Sequence, residues 1–128
     1  MNTQISNKTK KIFIIEDEKS LQEALAARLK KDGFETEAAF DGAEALEKLK
    51  TLTPDVILLD IILPKMDGFA VLEKIKEDIR IKDIPVIVLS NLGQDTDIKR
   101  ALDMGAADYF VKAQHSIAEI LTLIKTYS

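Results

Sequence analysis

The run Val56-Ile57-Leu58-Leu59 constrains this chain more than any other stretch. Four consecutive apolar residues with no polar alternation read as a strand buried on both faces. Such strands sit inside parallel sheets that helices cover on either side. Asp60 interrupts the run, Ile61 to Leu63 continue it, and Pro64-Lys65-Met66-Asp67-Gly68 turns the chain. A carboxylate in so apolar a setting is costly unless it is paired, bound to a metal or placed at a strand end facing a cleft. By itself Asp60 reads either as a turn cap or as a functional acid. The rest of the chain decides between them.

Three further runs resemble the first. Lys11 to Ile15 stops at Glu16-Asp17-Glu18, Val86 to Leu89 follows Pro85 and stops at Ser90, and Tyr109 to Val111 stops at Lys112. Phe34 to Phe40 reads as a weaker strand. Between them lie helical spacings: Leu21, Leu25 and Leu29 up to about Lys31; Ala43, Leu46 and Leu49; Phe69, Leu72, Ile75 and Ile79; Ile98, Ala101 and Leu102 within about 94–104; and Ile117, Ile120, Leu121 and Ile124. Asp32-Gly33 and Gly105 are helix stops, and Ser116 is an N-cap. Strand and helix alternate five times with no hairpin signal. Strands joined through helices run parallel, so the expected fold is one doubly wound α/β domain, an open five-stranded sheet with five helices.

The 128 residues are enough for one domain with a real core, and 46% hydrophobic with 31% charged residues is globular composition. A net charge of −4 gives no support to nucleic acid or an anionic membrane as a direct partner. Cysteine is absent, which excludes disulfides and thiolate metal sites. No apolar run approaches a signal-peptide core or a membrane span, so a soluble cytoplasmic protein is expected.

In a sheet of this kind the C-terminal strand ends share one edge, and ligands bind in the crevice there. Glu16 and Asp17, Asp60, Ser90 and Lys112 all fall at that edge. Carboxylates brought together repel, by about 4 kcal/mol for a pair 4 Å apart at an effective dielectric of 20, so they hold a proton or attract a cation. Oxygen ligands without His or Cys favour Mg²⁺ or Mn²⁺, and an open site suits Mg²⁺. An ammonium and a hydroxyl beside such an ion form a cradle for phosphate, and Asp60 becomes a candidate nucleophile that accepts a phosphoryl group.

These residues carry a family resemblance. Glu16-Asp17, the Asp60 that ends Val-Ile-Leu-Leu-Asp, the Leu-Pro-Lys-Met-Asp-Gly loop, Ser90, and Ala-Asp-Tyr-Phe-Val-Lys before Ala113 occur in the order found in response-regulator receiver domains of two-component signalling. The resemblance covers residues 10–128 and leaves 1–9 as a disordered extension. It implies a CheY-like (flavodoxin-like) sheet in the order 2-1-3-4-5. It implies a phosphoacceptor signalling domain, not an enzyme, in which Asp60 receives its phosphoryl group from a histidine kinase or phosphotransfer protein. Asp17, Asp60 and the backbone carbonyl of Ile62 would bind Mg²⁺, with Glu16 acting mainly through water. Lys112 and Ser90 would contact phosphoryl oxygens, and Tyr109 would be an aromatic switch coupled to Ser90. The helix at about 94–104, the strand at 108–112 and the last helix would present the output face to a downstream protein target. The chain would be a monomer or a phosphorylation-dependent dimer.

Duller roles exist for single members. Tyr109 alone reads as a half-buried strand aromatic, His115 as a surface loop residue, and Met66 and Met104 as packing residues. Ala113 stands where the family usually has proline, so a trans bond after Lys112 is expected. Asn91 is larger than the family's usual Ala or Gly and narrows access to Asp60. In the family, the second residues after the phosphoacceptor and after the hydroxyl influence hydrolysis. Here these are Ile62 and Leu92, which cannot orient water, and a long-lived phosphoryl group is expected.

The chain stops just after its last helix, which reads as a stand-alone receiver. One rival is an interaction module with the same fold that works without phosphorylation. A phosphohydrolase is disfavoured because Ile62 occupies the position where a second acid would serve. A dinucleotide-binding reading fails because no Gly-rich turn follows the first strand.

Overall fold

The computed structural model describes residues 9–128. Apart from Thr9, the expected N-terminal extension lies outside the described residues. The elements follow in the order β1 (Lys11–Ile15), α1 (Lys19–Lys31), β2 (Glu35–Ala39), α2 (Gly42–Leu49), β3 (Val56–Leu59), α3 (Gly68–Glu77), β4 (Val86–Ser90), α4 (Asp95–Asp103), β5 (Asp108–Val111) and α5 (Ile117–Tyr127), with a 3-10 turn at Lys112–Gln114 before α5. All pairings are parallel and the strand order is β2-β1-β3-β4-β5. The expected doubly wound α/β sheet is the observed one.

The pleat explains why the central strands carry no polar alternation. Phe13, Ile15, Ile57, Leu59, Val86, Val88 and Tyr109 face α2, α3 and α4, while Ile12, Ile14, Val56, Leu58, Ile87 and Leu89 face α1 and α5. Both sets are buried. Each Ile or Leu so enclosed contributes about 2 kcal/mol from area removed from water, before the entropy of ordering it is counted. At the sheet edge β2 reads Glu-Thr-Glu-Ala-Ala and is only half-buried, and its acids discourage pairing with another chain.

Local signals place the helix ends. Gly33 and Gly105 take positive φ after α1 and α4. Asp41, Asp67 and Ser116 accept backbone N–H groups at the starts of α2, α3 and α5, and Ser116 forms a capping box with Glu119.

Two expectations fail. Helical spacing places Ile79 on the apolar face of α3, yet it is 84% exposed. Asp78 ends the helix in an extended conformation, and its carboxylate accepts the Arg80 N–H in a local turn. The turn swings Ile81 inward instead, where it is 2% exposed. Leu102 shares its helical spacing with Ile98 and Ala101 but is 43% exposed, because α4 buries only a narrow stripe centred on Ala101. His115 is also less free than a surface loop residue. It is half-buried, edge-on to Phe110 at 4.8 Å between ring centroids, with Nδ1 3.8 Å from Glu119.

Candidate functional site

The strand ends converge as parallel registry requires. Ile15 pairs with both Ala39 and Leu59, so Glu16 and Asp60 leave neighbouring strands side by side. The Asp60 N–H donates to Ile15 O at 3.0 Å and the Glu16 N–H to Ala39 O at 3.0 Å, which carries the ladder one step past the strands. Carboxylate oxygens of Glu16, Asp17 and Asp60 all lie within 4.8 Å of one another. Glu16 and Asp60 are 2% and 4% exposed, so two acids sit in the floor of the pocket while Asp17 stands at its open side.

Lys112 compensates this charge. Its Nζ donates to Asp60 Oδ2 at 2.7 Å and lies 2.8 Å from Glu16 Oε1. Burial opposes the ammonium, but hydrogen bonds to both acids outweigh it and raise the Lys112 pKa. Burial raises the Glu16 pKa, against the lowering effects of Lys112 and of the Glu18 N–H, which donates to Oε2 at 2.9 Å. The free oxygen of Asp60, Oδ1, accepts the Ile62 N–H at 3.0 Å.

The loop after Asp60 is drawn tightly back under the site. Gly68 donates to Ile61 O at 2.7 Å, and a Cβ at Gly68 would lie 2.4 Å from both Asp60 O and Ile61 Cα. Only glycine allows that approach. Lys65 takes φ +69°, a left-handed conformation that costs a non-glycine residue about 1 kcal/mol, and its Nζ reaches Asp41 at 3.4 Å.

Ser90, fully buried at the end of β4, accepts the Leu92 N–H on Oγ at 3.3 Å. Tyr109 points inward, 9% exposed, and its hydroxyl donates to Leu92 O at 2.6 Å. Burial, followed by the charge of Asp97, raises the phenol pKa. The peptide between Lys112 and Ala113 is trans, as every described peptide bond is. Asn91 is exposed beside Ser90, and Ile62 is 52% exposed on the loop after Asp60.

The structure thus brings Glu16, Asp17, Asp60 and Lys112 into contact range, with Ser90 and Tyr109 linked through Leu92. One further participant carries no motif in the sequence. Gln22, on α1, is 4% exposed and its Nε2 donates to Glu16 O at 3.0 Å and Ala39 O at 3.1 Å. Its spacing with Leu25 and Leu29 on the buried stripe was the available signal.

A family model described as "Response regulator receiver domain" matches residues 12–125. The chain belongs to this family. The receiver is 35% identical over 118 residues to the DNA-binding dual master transcriptional regulator RpaA of Synechocystis, covering 90% of this chain and 49% of that protein. It is 41% identical over 102 residues to the probable transcriptional regulator ycf27 of Guillardia theta, covering 80% of this chain and 39% of that one. The chain therefore spans half or less of the length of these curated relatives. Among solved structures, the phosphorylated cyanobacterial phytochrome response regulator RcpA superposes with a TM-score of 0.81 at 34% identity, covering 93% of this chain and 91% of that chain. The receiver domain of a signal transduction histidine kinase from Syntrophus aciditrophicus gives 0.84 at 32% identity, with 93% and 89% covered. The receiver fold and its place in two-component signalling follow from these matches. Among the described residues, no helix is long and apolar enough to cross a membrane.

Proposed function

We propose that Asp60 is the phosphoacceptor of this receiver and that Glu16, Asp17, Asp60 and the Ile62 carbonyl form its Mg²⁺ pocket. The observation that carries the reading is the three-acid cluster with Lys112 bonded to Asp60 at the end of β3. The donor set fits the ion: it is all oxygen, acidic, partly buried and open on the Asp17 side, as a hard cation that keeps several waters requires. Mg²⁺, when bound, supplies charge neutralisation for the acids and for phosphoryl oxygens.

The chain's own residues supply the remaining chemistry. A carboxylate oxygen of Asp60 forms a bond to phosphorus as the P–N bond of a donor phosphohistidine breaks, and the departing imidazole keeps the electron pair and takes up a proton. Lys112, already within bonding distance of Asp60, offsets charge on the incoming group, and Ser90 offers a hydroxyl at the next strand end. If the Ser90 hydroxyl turns toward the phosphoryl group, Leu92 loses an acceptor. Tyr109, bonded to the same residue, transmits that change to the face made by α4, β5 and α5.

This makes the chain a signalling acceptor and not a turnover enzyme. Its partners are a histidine kinase or phosphotransfer protein upstream and a protein target downstream, in the cytoplasm, with no direct nucleic-acid contact by this acidic domain. The test is intact-mass spectrometry after incubation with acetyl phosphate and Mg²⁺. One added phosphoryl group, absent with Asp60→Asn and with chelator, is the expected result. A folded, Mg²⁺-binding chain that takes no phosphoryl group from acetyl phosphate or from a phosphohistidine donor protein would overturn the reading in favour of a phosphorylation-independent module.

A further inference from the structure

Among the described residues, no side-chain hydrogen bond holds the Asp17 carboxylate, the exposed member of the acidic cluster. Its placement therefore depends on its backbone, and above all on the peptide plane between Glu16 and Asp17. Gln22 fixes that plane. Its Nε2 donates one proton to Glu16 O at 3.0 Å and the other to Ala39 O at 3.1 Å, which spends both amide protons on the ends of two strands. Gln22 is itself anchored, being 4% exposed, with its backbone N–H bonded to Glu18 O at 3.0 Å.

The two contacts differ in what they do. Ala39 O already accepts the Glu16 N–H at 3.0 Å, so the registry of β1 and β2 does not depend on Gln22. The donor to Glu16 O among the described residues is Gln22. Without it, the Glu16–Asp17 peptide plane keeps only the indirect ties of the Glu16 N–H to Ala39 O and of the Glu18 N–H to Glu16 Oε2, and Asp17 is held less firmly. Leu or Met at this buried position would pack equally well but would leave the Glu16 carbonyl without its donor. The amide is explained by the pocket it supports.

We propose that Gln22 is a positioning residue for the acidic pocket: clamping the Glu16 carbonyl to α1 holds Asp17 in reach of the cation shared with Glu16 and Asp60. The inference rests on the Mg²⁺ pocket proposed above and names a residue outside it that sets its geometry. Outer residues that orient ligands govern metal affinity even though they never touch the ion.

The test is Mg²⁺ binding by isothermal titration calorimetry on the unphosphorylated chain. Gln22→Met keeps length, volume and helix propensity but removes both donors, and weakens Mg²⁺ binding about ten-fold. Leu25→Ala, on the same helix and fully buried, lowers the melting temperature yet leaves Mg²⁺ affinity unchanged. Parental affinity in Gln22→Met, or an equal loss in Leu25→Ala, would overturn the inference while the pocket itself stands. No binding by the parent chain would sink the pocket and this inference together. A second readout needs no variant: in the unaltered protein, the Gln22 side-chain amide and the Asp17 backbone amide shift together in NMR spectra as Mg²⁺ is added. An unmoved Gln22 amide beside a shifting Asp17 would also overturn it.

Discussion

Lys112 Nζ lies 2.7 Å from Asp60 Oδ2 while also touching Glu16, so one ammonium holds two buried carboxylates together. Removing it leaves two acids facing each other with little solvent. Breaking a buried pair in this way costs about 3–5 kcal/mol, and the partial openness of the cleft reduces that to about 2 kcal/mol. Lys112→Met is expected to be less stable by that amount in urea titrations with chelator present. The same variant gains more stability from added Mg²⁺ than the parent does, because the cation no longer competes with the ammonium for the same oxygens. Equal Mg²⁺ stabilisation in both proteins would contradict the shared-oxygen account.

Two glycines with opposite surroundings test how tightly the loop behind Asp60 is packed. A Cβ at Gly68 meets Asp60 O and Ile61 Cα at 2.4 Å, both backbone atoms of the site, whereas at Gly93 the nearest atoms are Val111 methyls at 3.4 Å. Gly68→Ala is expected to cost about 3 kcal/mol, the upper range of overpacking, and Gly93→Ala to stay within about 0.5 kcal/mol of the parent. Chemical denaturation of the two variants side by side checks this.

What the sequence discloses and what it hides separate along physical lines. Val56 to Leu59 and Val86 to Leu89 announce themselves because burial on both faces forbids polar residues. Asp60 and Ser90 are visible because they end those runs. Glu16 and Lys112 are found the same way, since parallel registry carries every strand end to one edge. Ile79 misleads because helical spacing persists for one residue after Asp78 has ended the helix by bonding the Arg80 N–H. Leu102 misleads because a helix packed on few residues leaves apolar ones outside. Gln22 is hidden because its meaning lies in two carbonyls at the ends of β1 and β2, which no pattern along α1 reports. The inward position of Tyr109 depends likewise on a carbonyl 17 residues away.

That carbonyl gives the third prediction. Tyr109→Phe removes the 2.6 Å bond to Leu92 O and leaves the ring in place, at a cost of about 1 kcal/mol. Leu92 then keeps its N–H on Ser90 Oγ and its side-chain packing against the core, but its carbonyl loses the phenol. Hydrogen exchange at the amides following Leu92 should quicken well beyond the change at β1 amides. A uniform change across the molecule would mean that Tyr109 acts only on global stability.

Acid stability has an identifiable contributor in Asp41. The Glu44 N–H bonded to its carboxylate, with Lys65 nearby, lowers its pKa from the ordinary 3.8. A carboxylate depressed in the folded state adds stability that is present above 3.8 and is lost as pH falls through the lower folded value. The melting temperature should therefore drop on acidification below that point. Asp41→Asn keeps a cap for α2 but cannot titrate, so its acid limb is shallower than the parent's. Identical limbs in thermal melts across that pH range would exclude Asp41 as a source.

With Asp60 as the proposed phosphoacceptor, the lifetime of its phosphoryl group depends on whether the side chains that follow Asp60 and Ser90 can hold an attacking water. Ile62 follows the acceptor by two positions and is 52% exposed, with its N–H committed to Asp60 Oδ1. Leu92 follows Ser90 by two and has both backbone groups committed, to Ser90 and to Tyr109. Neither side chain carries a donor or acceptor, so a water near phosphorus finds no partner from them to orient it. Spontaneous hydrolysis is expected to be slow, and Ile62→Asn or Leu92→Glu to speed it several-fold, about 1 kcal/mol in the barrier, at saturating Mg²⁺. The measurement is a time course of the phosphorylated mass after the donor is removed. Decay in the parent as fast as in both variants would show that the rate is set by access past Asn91 or by Lys112, and not by these two apolar residues.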